Sequence, residues 1–176
     1  MKLRKANAIF SLLTTIFLYG HAISLAIWML SSGSTSRAPA VISQIMTVCF
    51  VIHAGICMYQ MVTSHKGVPK TKSKQYPKLN AQTMVQRISG VFLIVFTWLH
   101  IAGTLGIMTP PQVVHAIVPP LFFALVMAHI AVSASKAFIT LGIGNAKFVK
   151  RADKAIKVIC AVTLIADVTG FYLYVC

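Results

Sequence analysis

Six histidines stand in a chain of 176 residues, and four of them fall deep inside apolar runs: His21, His53, His100 and His129. An imidazole surrounded by hydrocarbon is costly unless it pairs or works. A single one would be read slightly sooner as a hydrogen-bonded structural group than as a ligand. Four of them, one in each of four successive runs, permit a test by depth. His21 follows Lys5 by 16 residues, and His100 follows Met84 by 16. At ~1.5 Å per residue both stand roughly 24 Å along helices that run in the same direction. His53 precedes Thr63 by 10 residues and His129 precedes Ile139 by 10, on helices of the opposite direction. That is roughly 15 Å from the same membrane edge. The four therefore form two depth-matched pairs, His21 with His100 and His53 with His129.

Two imidazoles at equal height across a helix gap are what a bis-histidine haem requires, because the iron takes one ligand from each side. A structural metal would want four ligands at one depth. A proton relay through histidines leaves the pairing unexplained, so haem ligation is the favoured chemistry. Small residues that make room between helices cluster beside the ligands: Gly20, Ala54, Gly55, Ala102, Gly103 and Ala128. Such residues are common at any membrane helix interface and only support the reading.

The elements that must position these ligands are membrane spans. The chain is 57% hydrophobic and only 10% charged, with a mean hydropathy of +0.81. It lacks the charged residues to cover a soluble domain. A spanning helix needs ~20 mainly apolar residues. Five stretches qualify, about 8–30, 41–63, 84–108, 113–141 and 155–175. The expected fold is an all-α integral membrane protein of one domain over residues 1–176. Five transmembrane helices make it up, four of them forming the ligand-bearing bundle. Ser31–Pro39, Ser64–Gln82, Thr109-Pro110-Pro111 and Gly142–Asp153 read as connections. Pro119-Pro120 should kink or tilt the fourth span. Lys2, Arg4 and Lys5 before an apolar run resemble a signal peptide, but the run is too long, and an uncleaved anchoring helix fits better.

Charge sets the expected orientation. Lys and Arg number 16 against two acids, Asp153 and Asp167, and there is no Glu. The basic residues lie between apolar runs, which favours a topological role over nucleic-acid binding. Lys2, Arg4 and Lys5, then Lys66, Lys70, Lys72, Lys74 and Lys78, then Lys147, Lys150, Arg151 and Lys154 fall on one side, and Arg37 alone on the other. The N-terminus and both lysine-rich segments are thus expected in the cytoplasm and the C-terminus outside. The lysines suit anionic lipid. Cys49, Cys57, Cys160 and Cys176 form no Cys-x-x-Cys pair and read as small apolar residues. No P-loop, catalytic triad or nucleic-acid module is present.

At Val85-Gln-Arg-Ile-Ser-Gly90, followed by an apolar run to Trp98-Leu-His100, the chain resembles a known family. This is the single-chain di-haem cytochrome b anchor of succinate dehydrogenases and fumarate reductases. The family opens its third helix with Gln-Arg-(Val/Ile)-(Ser/Thr)-Gly and places a haem ligand ten residues after the Gly, the interval from Gly90 to His100 here. Phe17-Leu-Tyr-Gly-His21, Val51-Ile-His53-Ala with Tyr59 beyond it, and Phe138-Ile-Thr-Leu-Gly-Ile143 after His129 extend the resemblance along nearly the whole chain. Phe17-Leu-Tyr-Gly-His21 also echoes Phe96-Thr-Trp-Leu-His100, as if spans one–two and three–four were related hairpins.

The resemblance implies two haems b, an inner one on His53 and His129 and an outer one on His21 and His100. It implies electron transfer between the iron–sulfur subunit of a complex and a membrane quinone, menaquinone or ubiquinone. It also implies a flavoprotein subunit, an iron–sulfur subunit docked on the cytoplasmic side against the lysine-rich segments, and a bacterial or archaeal cytoplasmic membrane. The chain itself would carry out no succinate or fumarate chemistry. It departs from the family in two places. Ala8-Ile-Phe-Ser-Leu-Leu-Thr14 keeps Ser11 but lacks the His and Gly of the family's first helix, and no Glu is available for quinol deprotonation or proton passage.

Other residues carry two readings each. Arg87 is a membrane-edge anchor or a partner of a haem propionate or quinone, since arginine binds carboxylates through two donors. Ser89 could bond the same group or its own backbone. Lys136, seven residues after His129 on the same face, snorkels or meets a propionate. Asp167, the acid inside a span, is a neutral structural carboxyl, a partner of a ligand's distal nitrogen, or a proton carrier. His115 is an interfacial histidine or a contact of quinone or an outer propionate, His65 is a connecting residue or a neighbour of the inner haem edge, and Trp28 and Trp98 read as interface and packing aromatics. Two competing functions remain. One is the di-haem anchor of another quinone-linked dehydrogenase, of the hydrogenase or formate dehydrogenase type. The other is a small haem-free transporter or channel.

Overall fold

The computed structural model describes residues 2–30, 38–64, 81–108 and 112–175, with the side chains of 25–30, 38–39, 64, 81, 104, 112–116 and 174–175 excepted. Five α-helices account for nearly all of them: α1 (Lys2–Leu30), α2 (Ala38–Ser64), α3 (Ala81–Thr104), α4 (Gln112–Leu141) and α5 (Ala146–Val175). No strand occurs among the described residues. Helices of 24 to 30 residues are about 36 to 45 Å long, and each contains a stretch apolar enough to cross a ~30 Å hydrocarbon layer. The chain is a multi-pass membrane protein with an all-α, five-helix fold.

Burial follows membrane logic. Ala8, Ala102, Ala134, Ala137, Cys49 and Cys160 are buried, whereas large apolar side chains such as Ile16, Val95, Trp98 and Ile165 face outward. Lipid tails are as apolar as a leucine side chain, so close helix approach favours small residues, with Leu93, Met127 and Ile130 the larger side chains that are buried among them. Cys49, Cys57 and Cys160 are free thiols. Cys176 lies outside the described residues.

Several helix ends differ from expectation, α2 and α3 each beginning three residues early, at Ala38 and Ala81. The third helix stops at Thr104 rather than continuing to Met108. Gly106 takes φ +70°, and its N–H and that of Ile107 bond back to the Gly103 and Ala102 carbonyls. This left-handed stop satisfies carbonyls that a membrane helix end must not leave bare. The same device ends α4, where Gly142 has φ +74° and the N–H groups of Gly142 and Ile143 reach the Ile139 and Phe138 carbonyls. The fifth helix begins at Ala146, not at 155. Asn145 caps it, its Oδ1 accepting the Phe148 N–H at 2.9 Å, so Lys147, Lys150, Arg151 and Lys154 are helical rather than part of a connection. The first helix likewise begins at Lys2 instead of Ala8. Pro119 and Pro120 sit within a continuous α4. Of the expected connections Ser31–Pro39 and Ser64–Gln82, residues 38–39, 64 and 81–82 are helical, whereas 31–37, 65–80 and 109–111, with Arg37, His65 and the lysines of 66–78, lie outside the described residues.

The helices sort into two compact units. In the first, α1 and α2 run antiparallel, with Asn7 near the start of α1 against Cys57 late in α2, and Gly20 late in α1 against Ile42 early in α2. The last two turns of α4, from Lys136, belong to this unit. The second comprises α3, the rest of α4 and α5. Here α3 and α4 are antiparallel too. Gln82 Nε2 donates to the Val132 carbonyl at 3.4 Å, Ser89 meets His129, and Phe96 stacks on Phe122 at 6.4 Å. Ser89 and Phe96 are seven apart on α3, as are His129 and Phe122 on α4. The two helices therefore meet along one stripe of each.

Candidate functional site

His21 lies 19 residues from the start of α1, and His100 lies 19 from the start of α3. His53 stands 11 residues before the end of α2, and His129 stands 12 before the end of α4. His21 and His53 belong to the first unit, His100 and His129 to the second.

The most fully built environment is that of His129. Its Nδ1 lies 2.9 Å from the Oγ of Ser89, a residue only 4% exposed. Ser89 also donates its hydroxyl hydrogen back to the Val85 carbonyl, with the Gln86 carbonyl at 3.3 Å. A hydroxyl has one hydrogen, so the oxygen accepts from the ring and Nδ1 carries the proton. The neutral ring then keeps its lone pair on Nε2. Next along α3, Gly90 presents no side chain to the ring. A Cβ there would stand 3.3 Å from His129 Cε1 and 3.8 Å from Nδ1. On α4 itself, the Ser133 hydroxyl donates to the His129 carbonyl. Of the Gln86-Arg87-Ile88-Ser89-Gly90 run, Ser89 and Gly90 thus serve His129, while Arg87 is exposed.

His53 sits half-buried in a polar patch. Its Nε2 is 3.8 Å from Cys57 Sγ, and Cys57 in turn donates to Asn7 Oδ1 of α1 at 3.5 Å. His53 Nδ1 and Gln60 Nε2 are buried with no hydrogen-bond partner among the described residues. A polar atom so placed is expensive unless it is satisfied or used. His53, Cys57 and Gln60 recur at i, i+4 and i+7, so they share one face of α2. Asn7, Cys57 and Gln60 were not anticipated. That spacing was the signal for the last two, and Asn7 had none beyond being an amide in an apolar run.

His100 is exposed, and its ring stacks on Phe122 with centroids 5.7 Å apart and planes at 26°. His21 is half-buried, its carbonyl accepting the Ser24 hydroxyl. Lys136 is half-buried two turns beyond His129 on the same face of α4. Asp167 is half-buried in α5, and Trp98 faces outward. Asp153 pairs with Lys157 at 2.6 Å and is also bonded by Ser135, which ties α5 to α4. His65 and the side chains of His115 and Trp28 lie outside the described residues.

Imidazole side chains suit the axial positions of haem iron and not a hard, oxygen-seeking cation. Within neither unit do three described His, Cys, Asp or Glu side chains gather as a closed metal site would need. Two further features fit a ring-nitrogen ligand. These are a proton fixed on the far nitrogen of His129, and a buried ring nitrogen of His53 in want of a partner. No protein-family model, curated protein or solved structure matches the chain.

Proposed function

We propose that this chain is the membrane-anchor di-haem cytochrome b of a complex of the succinate dehydrogenase or fumarate reductase type. In that role it links an iron–sulfur subunit to membrane quinone. The observation that carries the reading is the histidine register. There is one ligand candidate in each of α1 to α4, two at 19 residues from a helix start and two at 11 or 12 from a helix end. His53 and His129 would hold one haem b, and His21 and His100 the other. Bound haem supplies reversible one-electron transfer.

The chain's own residues hold and orient. Ser89 and Gly90 seat the His129 ring, and the Phe96–Phe122 stack closes the next layer of the α3–α4 seam. Arg87, exposed near the start of α3, and Lys136, half-buried on α4, are the cations suited to propionate or quinone oxygens. The basic residues are assigned to the cytoplasmic side of a bacterial or archaeal membrane. There they would meet anionic lipid and the iron–sulfur subunit, with the flavoprotein subunit beyond it.

The test is a reduced-minus-oxidised optical spectrum with pyridine haemochrome quantitation on the wild type, His53→Ala and His100→Ala. Two haems b per chain are expected, with each substitution removing a different one. A colourless protein, or a haem content indifferent to either histidine, overturns the assignment and favours a haem-free transporter. Purification with the companion subunits separates this complex from hydrogenase or formate dehydrogenase types.

A further inference from the structure

Ser89 does more than fill a helix contact. It is buried, and its one hydrogen is committed to the Val85 carbonyl. Its oxygen is the acceptor for His129 Nδ1 at 2.9 Å. If the lone pair of the ring faced Ser89 instead, two acceptors would oppose each other in a medium with no water to relieve them. The serine therefore selects one tautomer of His129, the one whose lone pair is on Nε2. Gly90 sets how near the ring can come, because even a methyl group there would crowd Cε1 at 3.3 Å.

We propose that Ser89 is a positioning residue for His129, fixing its tautomer and raising its electron-donating strength, and through it lowering the potential of one haem. The haem half of this statement rests on the function proposed above. A ring whose distal N–H is hydrogen-bonded is a more basic ligand. A more basic imidazole favours ferric over ferrous iron, so removing the acceptor moves the midpoint in the positive direction. Ser89 would act through His129 and need touch neither iron nor quinone.

The experiment compares full-length wild type with Ser89→Ala, Ser89→Thr and His129→Ala, purified from membranes. It reads haem per chain, both midpoints by potentiometric titration, and the rate of haem loss to excess apo-myoglobin. In Ser89→Ala one midpoint moves positive while the other keeps its wild-type value. The same haem leaves ~10-fold faster or more, the scale on which outer partners tune ligand affinity. Ser89→Thr, which keeps the hydroxyl, restores both readouts, and the haem that shifts is the one His129→Ala removes. If the alanine chain does not accumulate, Ser89→Cys, nearly the same size but a weak hydrogen-bonding group, takes its place.

Two unmoved midpoints, or a shift in the haem that survives His129→Ala, overturn the proposal and leave the haem assignment standing. A wild type without haem instead overturns that assignment. The tautomer is then read from the ¹⁵N spectrum of the histidine-labelled chain, with His129→Ala identifying the signal. Nδ1–H in the wild type that is altered in Ser89→Ala upholds the role of Ser89, and an identical signal in both defeats it.

Discussion

His53 and His129 present one chemical problem, how to hold an imidazole in hydrocarbon, with two local solutions. His129 donates a hydrogen bond from its Nδ1–H to a serine that is itself anchored by its own helix. His53 leans on a sulfur at 3.8 Å, and thiol sulfur is a weak hydrogen-bond partner. The Cys57 contact is thus dispensable in a way that the serine is not. Cys57→Ala should leave haem per chain at the wild-type value and cost less than about 1 kcal/mol of stability. His53→Ala should remove one haem altogether. Haemochrome quantitation on the two variants side by side checks this, and equal haem loss in both would make Cys57 part of the ligand set. Sequence spacing made the four histidines stand out, because a polar ring inside an apolar run is conspicuous. It left Ser89 undecided among propionate, quinone and backbone. The bond to His129 joins residues 40 apart in the chain. Only the packing of α3 on α4 brings them together.

At the scale of the helix, apolar runs made the five spans legible but blurred their ends. Residues 105–108 look like more of the third span because Leu105, Ile107 and Met108 are apolar. What stops the helix is Gly106, whose positive φ permits two backward hydrogen bonds. Gly142 in Leu141-Gly142-Ile143 repeats the arrangement of Leu105-Gly106-Ile107. The start of α5 is mistaken for the opposite reason. Lys147, Lys150 and Arg151 look like a connection, yet Asn145 caps a helix in which Lys157 pairs with Asp153 one turn away. Both devices can be weighed. An L-residue forced into the left-handed region costs about 1–2 kcal/mol, so Gly142→Ala should destabilise the protein by that amount. Asn145→Ala should cost ~1 kcal/mol through the lost cap. Reversible unfolding in mixed micelles, followed by helical circular dichroism, measures both. A neutral Gly142→Ala would mean that the turn can rearrange without its left-handed residue.

For the whole molecule, the strongest asymmetry is charge, with 16 basic residues against two acidic ones, six of the basic residues falling between helices and most of the others within about two turns of a helix end. Five crossings alternate the sides of successive connections. Residues 2–5, 66–78 and 147–154 are then expected on one side, and 31–37 on the other. Translocation disfavours short segments rich in Lys and Arg, so the first set is expected in the cytoplasm. Single-cysteine chains test this directly. With the four native cysteines replaced by serine or alanine, cysteine is placed at Ser34 or at Lys72 and exposed to a membrane-impermeant maleimide. Ser34→Cys should react in intact cells whose outer layers admit the reagent, and Lys72→Cys only after the cytoplasmic membrane is opened. The reverse pattern would invert the protein and remove the lysines from the side where an iron–sulfur partner was proposed to dock. If the expected pattern holds, the docking proposal gains a second consequence. Attraction between exposed charges is screened once the Debye length falls to ~3 Å at 1 M salt. A partner held mainly by these lysines should therefore leave washed membranes at high salt, while this five-helix chain stays behind with the lipid.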